Sequence, residues 1–242
     1  MSVPSSGAPS PSAPGAGAVA MLAARGLSAG YHGVPVVRDL ELAVAPGELL
    51  LLAGPNGAGK STTLMTLAGA LAPLDGTTEF DGAATRAPMH VRVRHGLGIV
   101  TEKRAIFYGL TVSENLRLGR GDPEEALGHF PELRTRIGVR AGLLSGGEQQ
   151  MLSLARVMAA RPKALIVDEM SLGLAPIIVN RLLEALRAAA DGGAAVLMVE
   201  QHVRVALDVV DRACFLRAGH IVLEGTPEQL RGRDQEIEEV YL

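Results

Sequence analysis

Tryptophan is absent from the 242 residues, which carry only three tyrosines and four phenylalanines. That leaves no material for a stacking platform of the kind that binds single-stranded nucleic acid. Lysine and arginine (23) nearly balance aspartate and glutamate (26), for a net charge of -3. A nucleic-acid partner held mainly by phosphate neutralisation is thereby excluded. The single cysteine, Cys214 in "ACFL", forms no internal disulfide, which fits a reducing compartment; it reads as a small core residue with no chemistry of its own. No apolar run approaches the roughly 18–20 residues that span a bilayer, so any role at a membrane has to come through a partner. The opening "MSVPSSGAPSPSAPGAGAVAMLAA" has no basic stretch ahead of its small apolar residues and is not built as a signal peptide. Its Pro, Ser, Ala and Gly content predicts a disordered tail over residues 1–20.

Hydrophobic residues at 48% and charged residues at 20% provide for one large domain, or one domain carrying an inserted subdomain. The runs "LLLLAG" (49–54), "LGIV" (97–100), "ALIVDE" (164–169) and "AAVLMVEQ" (194–201) read as strands buried on both faces. Helical periodicity lies between them. Leu64, Leu67, Ala68 and Leu71 recur at helical spacing before Pro73. Val179, Leu182, Leu183 and Leu186 do the same before Gly192-Gly193. Strand–helix alternation of this kind predicts an α/β fold with a mainly parallel sheet. Residues 23–48 and 212–225 read as shorter antiparallel pieces, the second a hairpin turning at Ala218-Gly219. Residues 103–160 are helix-rich, and both "TVSE" (111–114) and "SGGE" (145–148) match the capping box.

"GPNGAGKST" satisfies G-x-x-x-x-G-K-[ST] through Gly54, Gly59, Lys60 and Ser61, between a buried strand and a helix. Gly54, Pro55, Asn56, Gly57, Ala58 and Gly59 form a loop whose amides can turn inward as an anion nest. Lys60, Ser61 and Thr62 then open a helix whose N-terminus favours phosphate. Lys60 suits the β- and γ-phosphates and the Ser61 hydroxyl suits Mg²⁺. Asp168 closes a buried strand, the end at which open α/β sheets bind ligands, and can hold the metal; Glu169 can orient or deprotonate an attacking water. "LLSGGEQQ" (143–150) looks like a second phosphate cradle without a lysine. Ser145 caps a helix, Glu148 closes the box, and Met151, Leu154, Ala155 and Met158 make a stripe that belongs to the core.

The phosphate loop, "LSGGEQQ" and "LIVDE", in that order over most of the chain, resemble the ATP-binding cassette (ABC) ATPases. The resemblance implies a P-loop NTPase (RecA-like) fold with a mainly parallel sheet, an antiparallel β subdomain and a helical subdomain inserted at about 103–160, all within a cassette over 21–242. In that family two cassettes pair head to tail, so Ser145, Gly146, Gly147 and Glu148 would complete a partner's ATP site. Tyr31 matches the aromatic that stacks on adenine, and is otherwise a surface tyrosine. Glu102 stands where the family has a metal-sensing Gln. Met170 replaces a Pro. The family's switch histidine falls on Gln201, with His202 one residue later. A one-residue slip along an extended segment reverses the side-chain direction, which favours Gln201; His202 is the contact if the loop shifts by one.

Glu102, "FYGLTVSENL", "SLGLAP", "VEQ" and "GHIVLEGTPEQL" together resemble one branch, the ATPase subunits of branched-chain amino-acid importers (LivF-type) and their urea and amide importer relatives. That branch implies ATP and Mg²⁺ as ligands and membrane permease subunits as partners. It also implies a second ABC ATPase subunit, identical or different, and indirectly a periplasmic or extracellular binding protein, with residence at the cytoplasmic face of the membrane. Two other readings stand beside it. One is a soluble, non-transport ABC ATPase, disfavoured by the single cassette and the absence of a basic patch. The other is a nucleotide-binding subunit with little hydrolysis, disfavoured by Lys60, Asp168 and Glu169.

Overall fold

A computed structural model of the protein describes residues 19–101, 103–200 and 203–242. Glu102, Gln201, His202 and residues 1–18 of the expected tail lie outside them. The first half runs β1 (Leu22–Tyr31), β2 (Val34–Val44), β3 (Leu49–Ala53), α1 (Lys60–Leu67), β4 (Asp75–Phe80), β5 (Ala83–Ala84), α2 (Met89–Arg94) and β6 (Leu97–Val100). Helices α3 (Val112–Arg117), α4 (Pro123–His129) and α5 (Gly146–Met158) follow, with 3-10 turns at Pro131–Arg136 and Ala141–Leu143. The chain closes with β7 (Ala164–Asp168), α6 (Pro176–Asp191), β8 (Ala195–Val199), α7 (Val203–Leu207), β9 (Arg212–Arg217), β10 (His220–Gly225), α8 (Pro227–Leu230) and α9 (Asp234–Tyr241).

Six strands form one sheet in the order β10-β9-β3-β8-β7-β6, parallel except for the β9–β10 hairpin. All four sequence-predicted buried runs are in it. Strand alternation divides their side chains between two cores. Leu49, Leu51, Leu165, Val167, Val196 and Met198 face a core shared with α3, α5 and α6. Leu50, Leu52, Ile166, Leu197 and Val199 face one shared with α1 and the antiparallel sheet. Burying each such side chain contributes about 1.5–3 kcal/mol. The helix-rich segment between β6 and β7 thus has no separate interior: Val112, Leu116, Phe130 and Met151 lie in the same cluster as Leu165 and Val167.

Three sequence readings are corrected. The antiparallel pieces at the start are not short: β1 and β2 are 10 and 11 residues long and pair over most of their length, with register shifts after Ala24, Leu27 and Ala29. These shifts break the polar–apolar alternation by which strand length is read. β4 and β5 complete that sheet in the order β2-β1-β4-β5. The hairpin at 212–225 turns at Ala218 (φ 49°) and Gly219 (φ 86°) as expected, but β9 also pairs in parallel with β3, a place that its continuous apolar run allows. Finally, α1 ends at Leu67, so Leu71 falls outside it. Gly69 takes φ 78° just past the helix, a left-handed terminator, and Arg92 Nη1 donates to the freed Leu67 carbonyl at 2.6 Å.

Candidate functional site

The phosphate loop leaves β3 at the C-terminal edge of the parallel sheet, between β8 and β9. Gly54 has φ 143°, and a Cβ there would lie 2.1 Å from the Leu216 carbonyl oxygen on β9, so only glycine fits. The turn at Ala218-Gly219 supports the loop from behind: Gly219 N–H donates to Ala58 O at 3.0 Å, and Arg38 N–H to Gly219 O at 3.1 Å. Asn56, Gly57 and Ser61 are exposed, while Ala58, Gly59, Lys60 and Thr62 are buried. Gly59, at φ 110°, is the N-cap of α1 and makes no side-chain cap; the first amides of α1 therefore point into the loop unclaimed by a cap.

Lys60 bends back over this loop. Its Nζ donates to Gly54 O at 2.8 Å and Pro55 O at 3.1 Å, and lies 4.0 Å from Glu169 Oε1. Burial pulls its pKa below the usual lysine value, against the opposing pull of Glu169 and Asp168. A cation held by two carbonyls and short of solvent is suited to exchange them for phosphate oxygens, which are stronger acceptors. Asp168 is the last residue of β7, opposite Val199 of β8. Glu169 follows with φ 43° and donates its N–H to Val199 O at 3.0 Å. A left-handed glutamate is uncommon, and conformations of this kind cluster at functional sites.

A hydroxyl and a carboxylate, Ser61 and Asp168, are hard oxygen donors of the kind Mg²⁺ takes, and Mg²⁺ is usually bound by one or two carboxylates plus substrate phosphates. Among the described residues no group of three or more His, Cys, Asp or Glu could hold a metal alone. The donor set fits a nucleotide-borne Mg²⁺.

Both expected capping boxes form. At α5, Glu148 N–H donates to Ser145 Oγ (3.3 Å) and Ser145 N–H to Glu148 Oε2 (2.8 Å). Arg136 Nε donates to Glu148 Oε1 at 2.7 Å and, first among several hydrogen bonds, lowers the Glu148 pKa. Ser145 is exposed. Gly147 has no room for a side chain, since a Cβ there would sit 2.9 Å from Ile178 Cγ2 on α6. Among the described residues no hydrogen bond or ion pair joins Ser145–Glu148 to the phosphate loop of the same chain. Tyr31, half exposed, stands at the tip of the β1–β2 hairpin, and Val36 and Val37 of that hairpin rest on Gly59.

Two arrangements escaped the sequence reading. Arg104 donates to Gln149 Oε1 (2.8 Å) and Gln150 Oε1 (3.2 Å) on α5, tying the loop after β6 to the helix that carries Ser145. Glu200, at the end of β8, accepts from the N–H and hydroxyl of Ser171. The one visible signal for Glu200 was a lone acid closing the apolar run "AAVLMVE".

A family model described as ABC transporter matches residues 37–171. The chain is 37% identical over 232 residues to the high-affinity branched-chain amino acid transport ATP-binding protein BraG of Pseudomonas aeruginosa, covering 92% of this chain and 99% of that protein. It is 35% identical over 243 residues to the lipopolysaccharide export system ATP-binding protein LptB of Escherichia coli K12, covering 93% and 98%. Among solved structures, the ATP-binding subunit of an ABC transporter matches with a TM-score of 0.78 at 27% identity, covering 91% and 97% of the two chains. The chain therefore belongs to the ABC transporter family, as one of its ATP-hydrolysing subunits.

Proposed function

We propose that this chain is the motor of an importer of branched-chain amino acids, working as an ATP-sandwich dimer beneath a membrane permease. The observation that carries the ATPase half is the placement of Lys60 Nζ 4.0 Å from Glu169 Oε1. A γ-phosphate bound to Lys60 would put its phosphorus within reach of a water held by Glu169, the general base. Tyr31 stacks on adenine. The amides of Gly54, Pro55, Asn56, Gly57, Ala58 and Gly59, extended by Lys60, Ser61 and Thr62, cradle the phosphates where the loop supplies an N–H. Ser61 and Asp168 would hold Mg²⁺, with Glu102 as its sensor, and the ion would supply positive charge against that developing on the transferred phosphoryl group. The switch role stays with Gln201 or His202.

The pairing half is supported by the outward-facing cap at Ser145, with Gly146, Gly147 and Glu148 presenting α5 to the ATP of a second subunit, identical or homologous. Exposed Leu143 (78%) and Ile177 (76%) offer apolar surface next to the segments that would meet it. In this reading residues 21–242 are one cassette, with 103–160 its helical subdomain. The helical subdomain, with Glu102 at its root in the sequence, is the coupling surface to the permease, and a cleft of about 560 Å³ between α2, β6 and α5, lined by Met89, Val93, Arg94, Ile99, Leu118 and Arg120, offers the permease a place to dock. No described helix is long and apolar enough to cross a membrane, and the chain sits at the cytoplasmic face through that contact. A binding protein outside would deliver cargo to the permease.

The likeness to BraG supports branched-chain amino acids as the cargo. The comparable likeness to LptB supports a second reading, lipopolysaccharide export, and urea or amide import is the alternative within the importer branch. A strain lacking this chain should lose uptake of labelled leucine, isoleucine and valine and keep uptake of urea. Unchanged leucine uptake with impaired export or urea uptake overturns the cargo assignment.

A further inference from the structure

We propose that Glu200 is a positioning residue for hydrolysis: its buried carboxylate ties the end of β8 to the loop after β7 and so holds Glu169 in its working place. This rests on the reading of Glu169 as the base. Glu200 is only 3% exposed, and Ser171 is buried with it. Glu200 Oε1 accepts from Ser171 N–H at 3.2 Å, and Oε2 accepts from the Ser171 hydroxyl. Two residues earlier, Glu169 N–H donates to Val199 O. The last residue of β8, Val199, and the residue after it, Glu200, thus hold alternate positions of the loop, 169 and 171. Met170, 2% exposed, is locked into the core between them.

The chemistry explains why an acid stands here. Ser171 presents two donors on one side, and a carboxylate offers two acceptor oxygens with no competing donor. Burying a carboxylate is costly unless it is well bonded, and the surrounding β8 residues are all apolar. The left-handed backbone of Glu169 (φ 43°) needs its surroundings to keep it there, and the Ser171 anchor lies two residues downstream. From Ser171 the chain turns, with Leu174 N–H on Ser171 O at 3.1 Å, into α6. The tie therefore sets the base and the segment 172–177, exposed apart from half-buried Leu174, together.

The test compares Glu200→Ala, Glu200→Gln, Ser171→Ala and the double alanine variant in the full-length chain, reading kcat, KM, equilibrium ATP binding and melting temperature. Glutamine preserves the tie without the charge, because its amide oxygen accepts from Ser171 N–H while its NH₂ donates to the hydroxyl. Glu200→Ala should lower kcat roughly ten- to hundredfold, the scale of a small misplacement of a catalytic group, with ATP affinity little changed and a melting temperature lower by several degrees because two buried Ser171 donors lose their acceptor. Ser171→Ala should lose less, since the N–H bond remains. The double variant should be no worse than Glu200→Ala, and Glu200→Gln should recover most of the rate. Wild-type kcat in Glu200→Ala, additive losses in the double variant, or Glu200→Gln as slow as Glu200→Ala each overturns the proposal. A wild-type chain that binds ATP without turnover contradicts the base assignment instead. In that case amide exchange over 169–174 reads the tie alone: faster exchange in Glu200→Ala supports it and unchanged exchange overturns it.

Discussion

Replacing Lys60 by methionine should move two measurements in different directions. In the free chain the Lys60 ammonium is short of solvent, and burial is the largest influence on its pKa. Its compensation is two carbonyl bonds and a carboxylate at 4.0 Å. Methionine fills much of the same volume without a charge to desolvate, so unliganded melting should stay within about 2 °C of wild type or rise. With ATP the balance reverses. Two charge-assisted bonds to phosphate oxygens are worth about 1.5–3 kcal/mol each, so their loss weakens binding about a hundredfold or more. At ATP concentrations of about 100 times the wild-type Kd, ligand binding adds about 2.7 kcal/mol to wild-type stability and only about 0.4 kcal/mol to the variant. For a chain of this size the ATP-induced rise in melting temperature falls from about 5–11 °C to about 1–2 °C. Thermal melts with and without Mg-ATP decide it. A variant that loses more than about 5 °C unliganded yet keeps the full ATP shift would refute the placement of Lys60 as a desolvated phosphate ligand.

The same lysine sets a pH dependence. Its pKa in the free chain is below 10.5, and bound phosphate favours the charged form and raises it. ATP affinity should therefore be complete below the free-state pKa and fall as pH rises through it toward the bound-state value; calorimetric titrations from neutrality upward should show this decline, and a flat profile in wild type contradicts it. Tyr31→Ala should weaken ATP binding about tenfold, the lower end of base–aromatic stacking, while Tyr31→Phe binds as wild type in a fluorescent-nucleotide assay. Thr111→Ala removes the cap of α3, whose box is closed by Glu114, and should destabilise the chain by about 1 kcal/mol in denaturant melts without altering ATP affinity.

What was legible in the sequence was what is local. Buried parallel strands announced themselves as runs such as "LLLLA", because both of their faces lie against other layers. The boxes at Thr111 and Ser145 span four residues each, and both form. The strand "DGTTEF" of β4 went unseen because it is polar, half exposed and shaped by pairing with β1 rather than by its own pattern. Leu71 continued a helical rhythm that Gly69 and Arg92 cut short, and Arg92 reaches α1 from 25 residues away. At the site, the loop with Lys60 and Ser61 was readable from spacing. The left-handed Glu169 and the bond from Ser171 to Glu200, 29 residues apart in sequence, arise only when β7 and β8 lie side by side.

The central claim, that Ser145 and its neighbours serve an ATP held by another subunit, is tested most directly by mass under ATP. Glu169→Gln, saturated with Mg-ATP, should run in light scattering at twice the 25.2 kDa of one chain, or pair with its homologous ATPase subunit when that is supplied. Adding Ser145→Arg should leave ATP binding intact and return the mass to that of a single chain. A Glu169→Gln chain that holds ATP and remains single even with the second subunit present, or one that pairs equally well with arginine at 145, would contradict the shared site.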